Sequence, residues 1–117
     1  FNIDNIKKSA NKTGKILTID TGHKKLGLGS EIISRIVENN KLSNFKAARL
    51  GLPDHPTPSS RGLIKNYYPS SISILKEITN LINLSSSKKR ELLKSFTKND
   101  NQSKYIDIPD PSFKGPF

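Results

Sequence analysis

The sequence predicts an α/β domain in which a parallel sheet carries helices on both faces. Residues 15–20 (KILTID) are β-rich and apolar on both faces, the pattern of a strand covered from two sides. Gly22, Gly27 and Gly29 then punctuate a turn, and residues 30–39 leave it as an amphipathic helix. Residues 45–50 (FKAARL) supply a second strand, and two strands joined through one helix make a right-handed parallel βαβ unit.

Each element has a local reason. Asp4 is expected to cap a short opening helix that sets Ile3, Ile6 and Ala10 on one side. Ser30 is the expected N-cap of the second helix, with the Glu31 carboxylate in the first turn where the helix dipole favours it. Ile32, Ile33, Ile36 and Val37 form its apolar stripe, and Asn39-Asn40 ends it, since Asn tolerates the left-handed conformation of a C-cap. Ala47-Ala48 weakens the β signal of the second strand. Residues 51–60 (GLPDHPTPSS) hold three prolines, which forbid helix and sheet ladder alike and predict a rigid, extended loop.

Tyr67-Tyr68-Pro69 leads into a helix over residues 71–83, capped by Ser71, in which Ile74, Leu75, Ile78, Leu81 and Ile82 recur at the helical period. Ser85-Ser86-Ser87 should break it, and residues 88–98 form a last short helix presenting Leu92, Leu93 and Phe96. Residues 1–98 thus read as part of one domain, and residues 99–117 as an extended tail rich in proline and aromatics. A two-stranded parallel sheet cannot bury what it exposes without further strands. The chain opens on a helix, so the fold is expected to be incomplete at its N-terminal end.

Composition narrows the function. In 117 residues only 32% are hydrophobic, so the core is small. No apolar run approaches the ~18 residues of a membrane span, and no charged-then-apolar leader opens the chain, which predicts a soluble, cytoplasmic protein without a membrane partner. With no cysteine, disulfides, thiolate metal sites and cysteine nucleophiles are excluded within these residues, and two distant histidines disfavour a histidine-rich metal site. The net charge of +10 raises the alternative of a basic module for nucleic acid or another polyanion. Its lysines are spread in pairs (Lys7-Lys8, Lys24-Lys25, Lys88-Lys89) without aromatic interleaving, so a solvated surface is the better reading and a nucleic-acid partner is disfavoured.

Strand, glycine turn and helix N-terminus is the geometry that cradles phosphate in nucleotide-binding folds. Here Gly27 and Gly29 supply the first two glycines of G-x-G-x-x-G, but Ile32 stands in the third position. Gly22 to Gly27 has P-loop spacing, but Leu28 replaces the lysine. The glycines are better read as letting the turn pack closely against a strand or a neighbouring chain. His23, at the strand end, suits a general base or an interface contact, and the second reading is preferred because no partner for a triad is placed by sequence. His55, between Asp54 and Pro56, is expected to fix loop geometry. Asp20, Glu31 and Asp54 have no spacing that specifies a metal or an acid/base pair.

These stretches also carry a family resemblance. Residues 14–36 and 48–78 resemble the C-terminal domain of the transketolase superfamily, above all the β subunit of thiamine-diphosphate-dependent 2-oxoacid dehydrogenases of pyruvate, branched-chain and acetoin type. The matching positions are Asp20, Gly22, His23, Gly27, Gly29, Glu31 and Ile32, then Pro53, Asp54, Pro56 and Pro58 of a Pro-Asp-x-Pro-x-Pro loop, then Tyr68-Pro69. The opening NIDNIKKSANKTGK is similar to that family's helix and Lys-Thr-Gly lead-in, and IPDPSFKGPF to some β-subunit tails.

The resemblance implies a three-layer α/β fold with a mixed, mostly parallel sheet of about five strands, roughly half of the domain preceding Phe1. It implies no cofactor bound by this chain alone, thiamine diphosphate and magnesium being held by other domains of the intact enzyme, and so no catalysis by this chain alone. The implied partners are the remaining β-subunit domains, the α subunit or a second protomer, and the dihydrolipoyl acyltransferase core. The implied interface and docking residues are His23, Lys24, Leu26, Gly27, Leu28, Gly29 and Glu31 at the turn, with Pro53, Asp54, Pro56 and Pro58, and Leu26 and Leu28 as anchors. A transketolase or a deoxyxylulose phosphate synthase using the same domain is the alternative within the superfamily.

Overall fold

A computed structural model describes residues 2–38, 44–64 and 67–99. The elements are α1 (Ile3–Thr13), β1 (Lys15–His23), α2 (Leu28–Glu38), β2 (Lys46–Leu52), α3 (Arg61–Ile64), α4 (Ser71–Leu81) and α5 (Ser86–Asn99). β1 and β2 pair in parallel, as the intervening helix requires, and they are the strands of the sheet among the described residues. α1 and α2 pack together and both reach β1. α4 packs on both strands and touches neither α1 nor α2, so the sheet carries helices on both faces. The α/β class and the order of the main elements are as the sequence predicts.

The ladder runs in register from Lys15 opposite Lys46 to Ile19 opposite Leu50, then resumes with His23 opposite Leu52. Asp20, Thr21 and Gly22 therefore face Gly51 alone. This bulge bends the end of β1, and the Asp20 carboxylate stabilises it by accepting from the Gly22 amide at 2.9 Å. The core is small: Ala10 of α1, Ile36 of α2, Leu52 of β2 and Tyr67 are buried, with Thr79 of α4. Thr79 satisfies its hydroxyl by donating to the Lys76 carbonyl at 2.9 Å.

Several boundaries move, each for a local reason. Asn2, not Asp4, caps α1: its side-chain oxygen accepts from the Asp4 amide at 3.0 Å, which leaves Asp4 in the first turn. Gly14 ends α1 with φ 64°, its amide donating to the Ala10 carbonyl. β1 continues three residues past the expected Asp20, because the bulge lets pairing resume at His23. α2 begins at Leu28, so Ser30 is not its cap but lies in its first turn, donating its amide to the Gly27 carbonyl at 2.9 Å. The expected stop at Asn39-Asn40 lies outside the described residues.

β2 extends through Gly51 and Leu52, which sequence reading assigned to the loop. The short α3, in the stretch between loop and Tyr67, is a single turn, too short for any periodicity to mark it in the sequence. The cap of α4 is Ser70, not Ser71: Ser70 and Ser73 exchange side-chain and amide hydrogen bonds in a capping box. α4 ends before the serine run, because Asn83 adopts φ 53° and the Asn83 and Leu84 amides turn back to the Asn80 and Thr79 carbonyls. Ser86 and Ser87 then belong to α5. The tail beyond Asn99 lies outside the described residues.

The apolar stripes are narrower than predicted. In α2, Ile32, Ile33 and Ile36 turn inward while Val37 stays exposed; in α4, Ile78 and Ile82 stay exposed while Thr79 is buried. Ile19 of β1 is 49% exposed, so this chain does not cover the strand fully on both sides.

Candidate functional site

Two motifs far apart in sequence meet at the C-terminal end of the sheet. The first is the turn from β1 into α2. The Lys24 amide donates to the Leu52 carbonyl at 2.9 Å, which carries strand pairing into the turn. Gly27 and Gly29 are needed for close approach: a β-carbon at Gly27 would lie 2.2 Å from the His23 carbonyl oxygen, and one at Gly29 2.4 Å from Thr18 Oγ1. Both contacts are made with the chain's own β1. Between these anchored points Leu26 has φ 55°, in the left-handed region that a residue with a β-carbon rarely adopts, and its side chain is fully exposed.

The second motif is the proline loop. His23 Nδ1–H donates to the Pro53 carbonyl at 3.0 Å; a carbonyl can only accept, so this contact places the proton on Nδ1. Lys25 Nζ donates to the Asp54 carboxylate in an exposed ion pair. The far side of the loop is held by buried Tyr67, whose hydroxyl donates to the His55 carbonyl at 3.0 Å and lies 3.3 Å from Thr57 Oγ1. Its ring packs tilted on His55 and edge-on to Tyr68, each at 5.2 Å between centroids. His55 therefore fixes loop geometry through its carbonyl and its ring face, while its own Nδ1–H turns to the Pro56 carbonyl.

Between turn and loop lies an open cleft of about 930 Å³ lined by His23, Lys25, Leu26, Gly27, Ser30, Arg49 and Asp54. Of the residues singled out by sequence, His23, Leu26, Gly27 and Asp54 line it, while Lys24 contributes through its backbone. Pro53 meets His23 and helps line a second cleft, of about 310 Å³, against Tyr67, Tyr68 and Ser70. Leu28 stands exposed at the start of α2. Glu31 points elsewhere, bonded to Arg35 Nε one helical turn on at 2.6 Å. Pro56 and Pro58 lie farther along the loop and line neither cleft.

Sequence reasoning missed two side chains here. Arg49 reaches from β2 to donate through one nitrogen to the Ser30 hydroxyl and to the Lys24 carbonyl. The signal was available, because a guanidinium in the strand stretch AARLGL needs a polar destination. Lys25, not Lys24, supplies the side-chain contact to the loop, and no local pattern marks a pair 29 residues apart.

The arrangement packs more readily than it reacts. The His23 ring bonds a backbone carbonyl, which holds loop to turn and supplies no relay for a nucleophile. The spaces opened by Gly27 and Gly29 are filled by the His23 carbonyl and Thr18, so both glycines serve packing within the chain. Among the described residues no three histidine, aspartate or glutamate side chains gather as metal ligands, and the nearest carboxylate, Asp54, is engaged by Lys25. The described residues therefore offer no ligand set for the magnesium that accompanies thiamine diphosphate. No helix among the described residues is long and apolar enough to cross a membrane.

A parallel βαβ unit with a closed glycine turn, clasped by a proline loop, defines an α/β packing module. The family described as "Transketolase, C-terminal domain" matches residues 1–74, and the chain belongs to that family. It is also similar to the mitochondrial pyruvate dehydrogenase E1 component subunit beta of Caenorhabditis elegans, with 26% identity over 86 residues, covering 72% of this chain. The chain spans 24% of that relative's length. No solved structure matches the chain.

Proposed function

We propose that the chain is the C-terminal assembly and partner-docking domain of a 2-oxoacid dehydrogenase β subunit. In the intact enzyme, thiamine diphosphate and magnesium belong to other domains, the decarboxylation takes place there, and this domain joins the subunits and engages an acyltransferase core. The observation that carries the reading is Leu26, fully exposed on a turn whose flanks are tied to β1, β2 and the proline loop, with exposed Leu28 two residues on. An apolar side chain held away from its own core is available to the buried centre of an interface. The family match by itself suits a transketolase or a deoxyxylulose phosphate synthase equally well. The similarity to an E1 β subunit favours the dehydrogenase.

The test is assembly of the full-length protein. Leu26→Asp and Leu28→Asp each set a carboxylate where burial is proposed, and each is expected to shift sedimentation toward smaller species while leaving the circular dichroism spectrum unchanged. An unaltered sedimentation profile in both variants overturns the reading.

A further inference from the structure

We infer that Arg49 is the positioning residue of the docking turn: its guanidinium bridges the Lys24 carbonyl and the Ser30 hydroxyl, and that bridge keeps Leu26 presented without Arg49 touching a partner. This rests on the assembly role proposed above.

The placement follows from strand register. Arg49 pairs with Thr18 across the parallel ladder, so both side chains leave the sheet on the same face, beneath the first turn of α2. Gly29 lets that turn drop onto Thr18, which brings the Ser30 hydroxyl within reach of the Arg49 nitrogen. The same nitrogen donates to the Lys24 carbonyl at 3.1 Å. One cation thus ties β2 to the turn on both sides of Leu26, two residues before it and four after it.

Leu26 needs such an external hold. Its φ of 55° is unfavourable for leucine, and its fully exposed side chain gains no burial that would offset the strain. The other clasps differ in kind. The Lys24 amide bond to the Leu52 carbonyl ties only the leading flank to β2, screening by water and salt leaves the exposed Lys25–Asp54 pair little net attraction, and His23 joins the turn to a loop instead of to the sheet. The Arg49 fork is only partly exposed, rigid and always charged, which suits it to hold two acceptors at once.

The experiment uses the full-length protein carrying Arg49→Met, Arg49→Lys, Ser30→Ala or Leu26→Asp. Hydrogen exchange at the bonded amides that flank Leu26, Lys24 and Ser30, is read against residues 16–19 of β1 as an internal reference, and sedimentation gives the dissociation constant of assembly. Arg49→Met is expected to speed exchange at the Lys24 and Ser30 amides roughly tenfold with residues 16–19 unchanged, and to weaken assembly by about the same factor. Arg49→Lys should restore only part of both, because an ammonium keeps the charge but lacks the rigid planar guanidinium that reaches two acceptors. Ser30→Ala, which removes one acceptor of two, should speed exchange roughly threefold, and it carries the test if Arg49→Met does not fold.

Unchanged exchange at the amides of residues 24 and 30 in Arg49→Met, or in Ser30→Ala where that variant stands in, overturns the inference. So does a loosened turn in Arg49→Met with assembly intact while Leu26→Asp still weakens it. Intact assembly in Leu26→Asp overturns the positioning role, and the docking role falls with it where Leu28→Asp also assembles intact.

Discussion

The glycine turn and the α4–α5 pair both expose large apolar side chains, and they are held in opposite ways. At the turn, directional bonds tie the flanks of Leu26 to separate elements: His23 to Pro53, Lys24 to Leu52 and Arg49, Ser30 to Arg49. In α4 and α5 the order is mostly local, from the Ser70–Ser73 capping box and the turn at Asn83, with the two helices packed on each other. Lys89 reaches Asn80 across that pair, while Leu92 and Phe96 stay exposed. A directional network holds one conformation even where the backbone is strained, whereas a partly covered apolar face tolerates repacking. The family match ends at residue 74, a few residues into α4, so the more strongly tied region is also the one that carries the family pattern.

The largest effect is expected where side-chain burial is complete. Ile36 of α2, 0% exposed, should cost about 2–5 kcal/mol on replacement by alanine, read from urea unfolding of the full-length protein. Phe96→Ser, on the exposed face of α5, should change stability by less than about 1 kcal/mol. Equal losses at the two sites would break the comparison.

Next comes close approach. Gly27→Ala drives a β-carbon toward a backbone carbonyl that cannot rotate away, and about 1–3 kcal/mol of destabilisation is expected, with faster exchange around residues 23–29. A neutral Gly27→Ala would mean that the turn is loose and that the network does not hold it.

The smallest effect separates the loop's hydrogen bond from its packing. Tyr67→Phe keeps the buried ring and removes the donor to the His55 carbonyl, for an expected loss of about 1 kcal/mol. Crystallography of the variant should find the proline loop displaced and His23 still bonded to Pro53. A loop that stays in place with no loss of stability would show that ring packing alone holds it.

Sequence by itself determined what depends on neighbours along the chain. The strand–turn–helix order follows from residue periodicity, the ban on regular structure in the PDHPTP segment from proline's missing donor, and the close-packing turn from glycines that fail both phosphate patterns. Capping was legible only to within one to three residues: the sequence points to Asp4, Ser30 and Ser71, whereas the backbone path puts Asn2, Gly27 and Ser70 at the three helix starts. Tertiary structure alone decided the rest. Lys25 meets Asp54 across 29 residues and Arg49 meets Ser30 across 19, because strand register and helix docking bring them together. The inward face of α4 was likewise decided by tertiary packing, which buries Thr79 and leaves Ile78 out. Local propensity acts within a few residues, whereas these contacts depend on how whole elements fit.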